Sequence, residues 1–507
     1  MRTLGFATGL VAACAVTQSA WATDVRDFSG LGTQQIGRAG AWVARATTPL
    51  ATFDNPAGLA GQRTGASADV AVVANSVCFT RAGDGSQLDS GGVGVPYPEV
   101  CNDKKLEPLP AIAGVLHVMD TLGIGLSVAP PSLYGGIKFP DTVTGKNRFG
   151  VQTELPSPGR YILLESGGVY LNTTLSAGFE AAPGLRVGAG FIWGLANLKL
   201  ANANMALSPT PQTDGTWLDP WGSDVRAEID VSDMFIPGVV VGALYSPIDM
   251  LDVGLTVTAQ EAFDGHGQLT TRANYWSSTG GLFKNPTVTN SDDIEADLAH
   301  FRLPNPLDVR LGARFHMPRV GGDIQLGQER DPIADDVFDV ELDLSYTRNS
   351  AYRAAELRFP ARPVIEVQGT GGQVPQDADV DFNVKGDTLG ARLGGDFVVL
   401  PNRVAVRAGA FYEPDVQRPE YLNVAFLASR RIGLAGGVQV RLAFVDVEAS
   451  YMHVFFDDVD NGGNGRLRVV SGDVSAQPVP NRSPYGINGG KVTQSVNIVS
   501  LGARARF

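Results

Sequence analysis

The side chains best suited to acid–base and nucleophilic chemistry are scattered along this sequence of 507 residues. No serine or carboxylate stands in a recognisable catalytic spacing beside any of the five histidines, which are His117, His266, His300, His316 and His453. A catalytic triad is defined by geometry and not by sequence position, so strands far apart in the chain can still assemble one. We therefore expect no enzyme activity, no catalytic residue and no cofactor, with a hydrolase built from distant strands as the remaining alternative.

Two cysteines, Cys78 and Cys101, remain after a predicted export signal that contains Cys14. An even pair in an exported chain favours a disulfide, which here would close a polar segment rich in glycine and aspartate. Zinc binding is the alternative, but the sequence has no Cys-x-x-Cys motif and no histidine close to the pair. We therefore predict a disulfide between Cys78 and Cys101 and no metal site.

Two other patterns are candidates for binding ions. The run GGVG at residues 91–94 lies in a polar segment and not between a strand and a helix, so phosphate binding is not expected. The acidic run DDVDN at residues 457–461 has the oxygen ligands that calcium requires. A solvated loop is the simpler interpretation of this run, and calcium binding stays an open alternative.

The amino terminus has the pattern of a secretory signal. Arg2 precedes an apolar stretch at residues 4–16, and the small-x-small sequence AWA follows at residues 20–22. The apolar stretch is shorter than the roughly 20 residues that a membrane-spanning helix needs. We predict that residues 1–22 form a signal peptide that is removed on export, and a lipoprotein site at Cys14 is the alternative.

The composition narrows the class of protein. The chain carries 40 Lys and Arg against 53 Asp and Glu, a net charge of −13, which is unsuited to binding nucleic acid. Glycine is abundant, at 61 residues. After the signal, no apolar run is long enough to cross a bilayer as a helix. An exported chain of this kind can still be a membrane protein if its strands close into a β-barrel, because closure satisfies the backbone hydrogen bonds.

Apolar side chains alternate with small or charged ones in several segments, most clearly at the carboxyl terminus. In residues 499–507 every odd position is apolar, and Arg504 and Arg506 stand on the other face. A soluble sandwich has to cover each apolar face with a second sheet, whereas a membrane barrel exposes those faces to lipid and lines its lumen with the charged ones. The same pattern recurs at residues 185–191, 251–257, 309–315, 338–346 and 445–451.

Connection lengths also favour a membrane barrel. Very short turns alternate with long polar segments, as in outer-membrane barrels, where periplasmic turns are short and external loops are long. We therefore predict an all-β fold, a transmembrane antiparallel β-barrel of about 14 strands over residues 67–507. The expected short turns are at residues 120–121, 183–184, 247–249, 401–403 and 443–444. The expected long loops are at residues 80–107, 130–159, 202–223, 264–299, 362–379 and 457–492. Segment 318–335 is an exception, because it is long where a short turn is expected.

The segment before the first strand, residues 23–66, does not alternate. Its motifs are FSGLG at 28–32, GRAGA at 37–41 and FDNPAGLA at 53–60, the last of which contains the candidate hatch motif Asn55, Pro56, Ala57 and Gly58. Small residues allow backbone to pack close to backbone, which suits a plug inside a barrel. The asparagine can bond its own backbone and the proline fixes the angle that follows, so we expect a rigid bend. A disordered linker is the alternative.

This amino-terminal segment resembles that of the FadL-type outer-membrane transporters of long-chain fatty acids and aromatic hydrocarbons. The resemblance rests on GRAGAWVARATTPLATFDNPAGLA at residues 37–60, preceded by FSGLG, and on the terminal strand that ends at Phe507. It implies a fourteen-stranded barrel closed by an amino-terminal hatch. It also implies that apolar substrate is captured at the outer surface and leaves sideways into the membrane through a gap in the third strand.

The third strand is expected over residues 122–134 and contains Pro130 and Pro131. Proline gives no N–H to a ladder, so two in succession leave an unpaired stretch that is a candidate lateral exit. The alternative is that Pro130 ends the strand at the outer rim. A sideways exit suits an apolar cargo, because burial stabilises each CH₂ by about 0.8 kcal/mol and a route through water loses that energy.

Two long loops are unusually aromatic for exposed segments. Their aromatic side chains, Trp217, Trp221, Trp276 and Phe283, are candidates for an initial apolar groove that captures substrate. Packing of the loops against themselves is the alternative interpretation of these residues.

Together these features predict an integral, monomeric channel of the Gram-negative outer membrane. The expected partners are a hydrophobic small molecule, outer-membrane lipid and lipopolysaccharide, and the barrel-assembly machinery through the carboxyl-terminal strand. A general diffusion porin for polar solutes is the main alternative, although a porin has no need of a hatch with an Asn-Pro-Ala turn. The loops show no usable resemblance, so the sequence does not identify the substrate.

Overall fold

A computed structural model describes most of the chain after the predicted signal peptide. The described residues are 32–83, 96–103, 106–131, 136–146, 151–205, 210–211, 217–218, 221–276, 298–321, 323–328, 330–351, 354–361, 365–367, 371–373, 377–468 and 486–507. The predicted signal, residues 1–22, lies outside them. Within these ranges, every helix is too short or too polar to cross a bilayer.

Fourteen antiparallel strands follow one another around a closed sheet, as predicted. They are β1 Gly65–Arg81, β2 Leu106–Met119, β3 Leu122–Ala129, β4 Glu165–Ala182, β5 Leu185–Asn204, β6 Val225–Ile248, β7 Leu251–Gln260, β8 Asp308–Pro318, β9 Asp336–Thr347, β10 Thr388–Leu400, β11 Val404–Glu413, β12 Arg431–Leu442, β13 Val445–Phe456 and β14 Gly490–Arg506. The last strand closes the barrel on the first, from Gly65 opposite Arg506 to Arg81 opposite Gly490.

The two faces of the barrel wall differ in the way that the alternation predicts. Large apolar side chains on the outer face stay exposed; Leu126 is 52% exposed and Leu501 is 63% exposed. Charged side chains of the same strands, such as Arg314, Glu341 and Arg392, are buried on the inner face. Because an apolar exterior is stable against lipid and not against water, the barrel is a transmembrane one.

The two ends of the barrel are different. At one end, here called the short-turn end, most connections have two or three residues, as at 120–121, 183–184, 249–250, 401–403 and 443–444. Residues 247 and 248, predicted to lie in a turn, still belong to β6, and Asp249 and Met250 make that turn. At the opposite, long-loop end, seven further strands extend the sheet: Val100–Cys101, Ile137–Lys138, Phe263–Arg272, Ala299–Leu303, Ala354–Arg358, Ala378–Asp381 and Val459–Asp460.

The remaining described elements are short. Three two-stranded sheets pair Thr142–Lys146 with Gln152–Pro156, Thr210–Pro211 with Trp217–Leu218, and Ile365–Val367 with Gly371–Gln373. The helices are α1 Thr33–Gly37, α2 Ala51–Asp54 and α3 Pro332–Asp335, with 3₁₀ turns at Pro56–Leu59, Trp221–Ser223, Asn349–Ala351 and Pro419–Tyr421.

Residues 32–62, here called the hatch segment, are enclosed by the barrel wall. Helix α1 contacts β12, β13 and β14, and the 3₁₀ turn Pro56–Leu59 contacts β4, β5 and β6, which lie across the barrel from them. Almost every side chain from Gly32 to Ala60 is buried. The hatch segment therefore contacts wall strands on opposite sides of the barrel and is buried along most of its length.

Glycines in the wall allow the hatch segment to come close. A Cβ atom added at Gly178 would lie 2.3 Å from the carbonyl oxygen of Pro56, and one added at Gly123 would lie 2.1 Å from that of Leu59. Both distances are shorter than any non-bonded contact, so a larger residue there would push the segment away. The high glycine content therefore serves the wall as well as the hatch segment.

Candidate functional site

The motif around Asn55 makes a tight bend in the hatch segment. The Oδ1 atom of Asn55 accepts a hydrogen bond of 3.3 Å from the backbone N–H of Ala57, and Pro56 begins the 3₁₀ turn that contains Ala57 and Gly58. The Nδ2 atom of Asn55 donates to the carbonyl of Val43 at 2.8 Å. The bend is therefore fixed both to its own backbone and to an earlier part of the hatch segment.

A buried cluster of charges ties the hatch segment to β9 and β10. The Arg38 guanidinium donates to Asp339 at 2.6 Å, to Asp396 at 2.9 Å and to Glu341 at 3.0 Å. Arg45 contacts the first two of these carboxylates, at 2.7 and 2.9 Å. Each ion is out of water, so losing one partner would leave the others uncompensated.

Backbone amides of the hatch segment add to this cluster. The N–H groups of Trp42 and Val43 donate to Oδ2 of Asp343 at 2.8 and 3.1 Å, and the N–H of Ala44 donates to Glu341 at 2.6 Å. Across the barrel, the N–H of Thr33 donates to Asp69 of β1 at 2.8 Å. Acidic side chains of the wall thus bind the hatch segment on two sides.

Among the described residues, the pairing of the wall is interrupted where β3 ends. We predicted this strand to reach residue 134, but it ends at Ala129, because Pro130 and Pro131 follow and neither has an N–H for the ladder. Ala129 is paired with Asn172 of β4, and described pairing on this edge of β4 resumes only at Ser166, opposite Ile137. Strand β4 extends seven residues past Asn172, to Glu165, so β3 ends below the rim.

A cavity of about 90 Å³ lies between the hatch segment and this break. Phe53 and Asp54 of the hatch segment form one side, and Pro130 and Pro131 form another. The rest of the lining comes from Ala129, Asn172, Thr174, Ile192, Thr258, Gln260, Pro306, Asp308, Arg310 and Thr347. The hatch segment, just before the bend at Asn55, and the proline pair thus line one cavity.

The charges that line the cavity are mostly acidic. Arg310 forms an ion pair with Asp308. Asp54 is buried and accepts a hydrogen bond of 2.9 Å from Nε2 of Gln35. Burial raises the pKa of Asp54 to about 6, although the charge of Arg310 and the bond from Gln35 oppose this shift. The cavity therefore has two carboxylates and one guanidinium.

The long connection between β8 and β9, residues 319–335, lies across the short-turn end. Asp331 accepts from Arg441 at 2.6 Å and from Arg506 at 2.7 Å, and the N–H of Gly327 donates to Glu180 at 2.8 Å. Burial favours the neutral form of Asp331, but these two arginines hold the pKa of that carboxyl below its usual value. The exceptional length of this connection lets it reach strands on both sides of the barrel end.

Two of the four residues predicted to form an aromatic groove, Trp221 and Trp276, are buried in the structure. Trp221 and Trp276 are 4% and 1% exposed and share one buried cluster at the long-loop end with Tyr275. The indole N–H of Trp276 donates to the backbone carbonyl of Asp141 at 3.0 Å. Only the backbone of Trp217 is described, and Phe283 lies outside the described residues. Loop packing accounts for the positions of Trp221 and Trp276.

The other residues singled out from the sequence have structural partners. The sulfur atoms of Cys78 and Cys101 are bonded to each other, across the pair formed by β1 and the strand Val100–Cys101. In the acidic run at 457–461, Asp457 pairs with Arg430 and Asp458 pairs with Lys491, both at 2.7 Å. The glycine run at 91–94 lies outside the described residues.

Four histidines have hydrogen bonds to groups other than serine. The acceptors are the carbonyl of Gln62 for His117, the carboxylate of Asp264 for His300, that of Asp336 for His316 and the amide oxygen of Asn497 for His453. Sequence reasoning missed that β-pairing brings His266 directly opposite His300. It also missed the partners of Arg38, since they stand about three hundred residues later.

No protein-family model matches the chain, and no curated protein matches it significantly. Solved structures do match. A Pseudomonas aeruginosa FadL homologue has a TM-score of 0.64 at 18% identity, covering 94% of this chain and 98% of that one. The P. putida toluene transporter TodX has a TM-score of 0.58 at 14% identity, covering 95% and 99%. The CymD monoaromatic hydrocarbon channel has a TM-score of 0.54 at 14% identity, covering 95% and 98%. This chain therefore has the FadL-type barrel fold.

Proposed function

We propose that the protein is a channel of the Gram-negative outer membrane that takes up hydrophobic compounds and releases them sideways into the membrane. The observation that carries this proposal is the break in the wall after Ala129, with the cavity between Pro130, Pro131 and the hatch segment behind it. A compound that reaches this cavity has an apolar membrane on the other side of the break. It gains burial energy by leaving there and not through water.

The closed axis of the barrel supports a sideways route. The hatch segment fills the lumen and is held by the buried pairs of Arg38 with Asp339 and Asp396. Residues 319–335 lie across the short-turn end, where Asp331 binds Arg441 and Arg506. A molecule moving straight along the axis would have to break both sets of contacts, whereas the break beside β3 needs neither.

The cavity favours a neutral substrate. Its charged lining has Asp54 and Asp308 against Arg310, and that arginine already pairs with Asp308. A fatty-acid carboxylate would add a third negative charge to the cavity, and the guanidinium of Arg310 is already paired with Asp308. The proposed substrates are therefore small neutral apolar compounds, which agrees with the toluene and monoaromatic hydrocarbons that channels of similar fold are named for.

The alternatives have less support. A general diffusion porin requires an open, wet lumen, and the hatch segment occupies the lumen here. A barrel hydrolase requires a nucleophile beside a base, and the bonds of His117, His300, His316 and His453 go to other groups. We therefore propose a transport role without chemistry, cofactor or resident metal in the channel.

The proposal is tested by uptake in a Gram-negative host that lacks its own transporter for such compounds. Cells that express the protein should take up labelled toluene faster than cells with an empty vector. Uptake of a labelled medium-chain fatty acid should rise less, and uptake of a labelled disaccharide should not change. Faster disaccharide uptake would support the porin alternative, and unchanged toluene uptake would contradict the proposed function.

A further inference from the structure

We propose that Asp264, His266 and His300 form a binding site for a late first-row divalent cation such as Zn²⁺ or Ni²⁺. The site is separate from the channel cavity. It lies on two strands of the long-loop end, Phe263–Arg272 and Ala299–Leu303, which are antiparallel neighbours. His266 stands directly opposite His300 in this pairing, and Asp264 shares the face of His266 because it is two residues away.

The three side chains already point at one another. The imidazole rings of His266 and His300 are stacked, with centroids 4.2 Å apart and 11° between their planes. The ring of His300 bonds through Nε2 to the carboxylate of Asp264. The potential ligand atoms of all three residues lie within 4.8 Å of one another. Ligands of a tetrahedral zinc ion are about 3.3 Å apart, so small rotations of these side chains complete the site.

The donor set selects the class of cation. Two imidazole nitrogens and one carboxylate oxygen are typical ligands of zinc, with water in the remaining position. Calcium and magnesium prefer sets made only of oxygen, and they are not expected here. The other described cluster, Cys78, Glu99 and Cys101, has the right residue types, but its two sulfur atoms are joined in a disulfide and offer no thiolate.

The position of the site gives an ion access from water. His266 is paired across the sheet with Ser232 of β6, two residues beyond Met234, whose side chain is 65% exposed on the apolar exterior. The site therefore lies at the outer edge of the lipid-facing belt. A bound cation would cross-link the two strands at this edge, and binding to the folded state alone would stabilise it.

The proposal is tested by isothermal titration calorimetry of the purified barrel in detergent. The protein carries no histidine tag and is first stripped of metal with a chelator. ZnCl₂ and NiCl₂ should each bind at one site, and CaCl₂ should not. His266→Gln and His300→Gln should each weaken zinc binding by about tenfold or more. His117→Gln is the matched control, since His117 lies 3.8 Å from Asp120 at the opposite end without a second histidine.

The site is established if the unmodified protein and the His117→Gln control bind zinc and nickel equally well and both site variants bind zinc at least about tenfold more weakly. The proposal fails if the unmodified protein binds neither ion, in which case Asp264 and His300 only pair with each other. It also fails if both site variants bind zinc as tightly as the unmodified protein. Folding of each variant is checked by the heat-dependent gel shift of the barrel, which these wholly or partly exposed residues should not affect. Uptake of toluene is a separate readout, because the site does not line the channel cavity.

Discussion

The Nη1 atom of Arg38 lies 2.6 Å from Oδ1 of Asp339, and neither side chain is in contact with water. This contact joins the hatch segment to β9 at the centre of the buried charge cluster. We predict that Arg38→Met destabilises the folded barrel by roughly 3–5 kcal/mol, because three carboxylates lose their shared counter-ion. The temperature of the heat-dependent gel shift should fall, and leakage of a polar dye from proteoliposomes should rise.

Arg403→Met is the control for this change, since Arg403 is exposed in the turn between β10 and β11. It should leave both the shift temperature and the leakage unchanged. If Arg38→Met behaves like this control, the buried cluster does not hold the hatch segment.

Deleting residues 27–59 should open the lumen. The prediction follows from the enclosure of the hatch segment by β4, β5, β6, β12, β13 and β14. Removing it leaves a charged, wet channel, so a proteoliposome should leak small polar solutes much faster. The gel shift checks that the shortened protein still folds. If the deletion variant folds but leaks polar solutes no faster than the full-length protein, this segment is not a plug.

The docking of α2 should depend on pH through Asp54. Its pKa is about 6 in the structure against 3.8 for an ordinary aspartate, because burial disfavours the charged form. Docking of α2 is therefore coupled to proton uptake by Asp54. The free energy of docking is most favourable below about pH 4, becomes less favourable up to about pH 6 and is constant above that. The docking free energy lost over this range is about 3 kcal/mol at most.

Polar dye leakage, measured from about pH 4 to about pH 7, should rise with pH in the natural protein. Asp54→Asn keeps the shape of the side chain and cannot ionise, so its leakage should stay low and flat. A flat profile in the natural protein, or a parallel rise in the variant, would rule out Asp54 as the responsible group.

The disulfide between Cys78 and Cys101 should leave no free thiol. Purified mature protein, denatured but not reduced, should take up no maleimide label, and reduction should expose two labelled sites. A labelled mass increase before reduction would contradict the bond. Losing the cross-link, for example in Cys78→Ser with Cys101→Ser, should reduce stability by about 2–4 kcal/mol.

The sequence predicted the wall of the barrel well, because lipid forces one face of every strand to be apolar. The alternation at residues 338–346, for example, correctly assigned Asp339 and Glu341 to the inner face. It did not reveal that Arg38 is their partner, because that contact depends on how the hatch segment lies inside the closed barrel. The sequence also left open whether Pro130 and Pro131 interrupt β3 or end it, and the strand ends at Ala129, directly before them.

The loops were the least predictable part. The sequence left open whether Trp221 and Trp276 are buried by loop packing or line a groove for substrate, and the structure places both in one buried cluster. Likewise, His266 and His300 are 34 positions apart, and only the register of their strands makes them neighbours. Such contacts depend on chain geometry that no local pattern encodes.

Whether apolar compounds leave the barrel beside Pro130 and Pro131 is tested by repairing the wall at these two positions. Replacing Pro130 with Val and Pro131 with Thr restores two N–H donors, so β3 can continue along β4. Toluene uptake by cells that express this variant should fall toward the level of the empty vector, while polar leakage and the gel shift stay as in the natural protein. Toluene uptake at the natural rate in a folded double variant would show that the interruption beside β3 is not the exit.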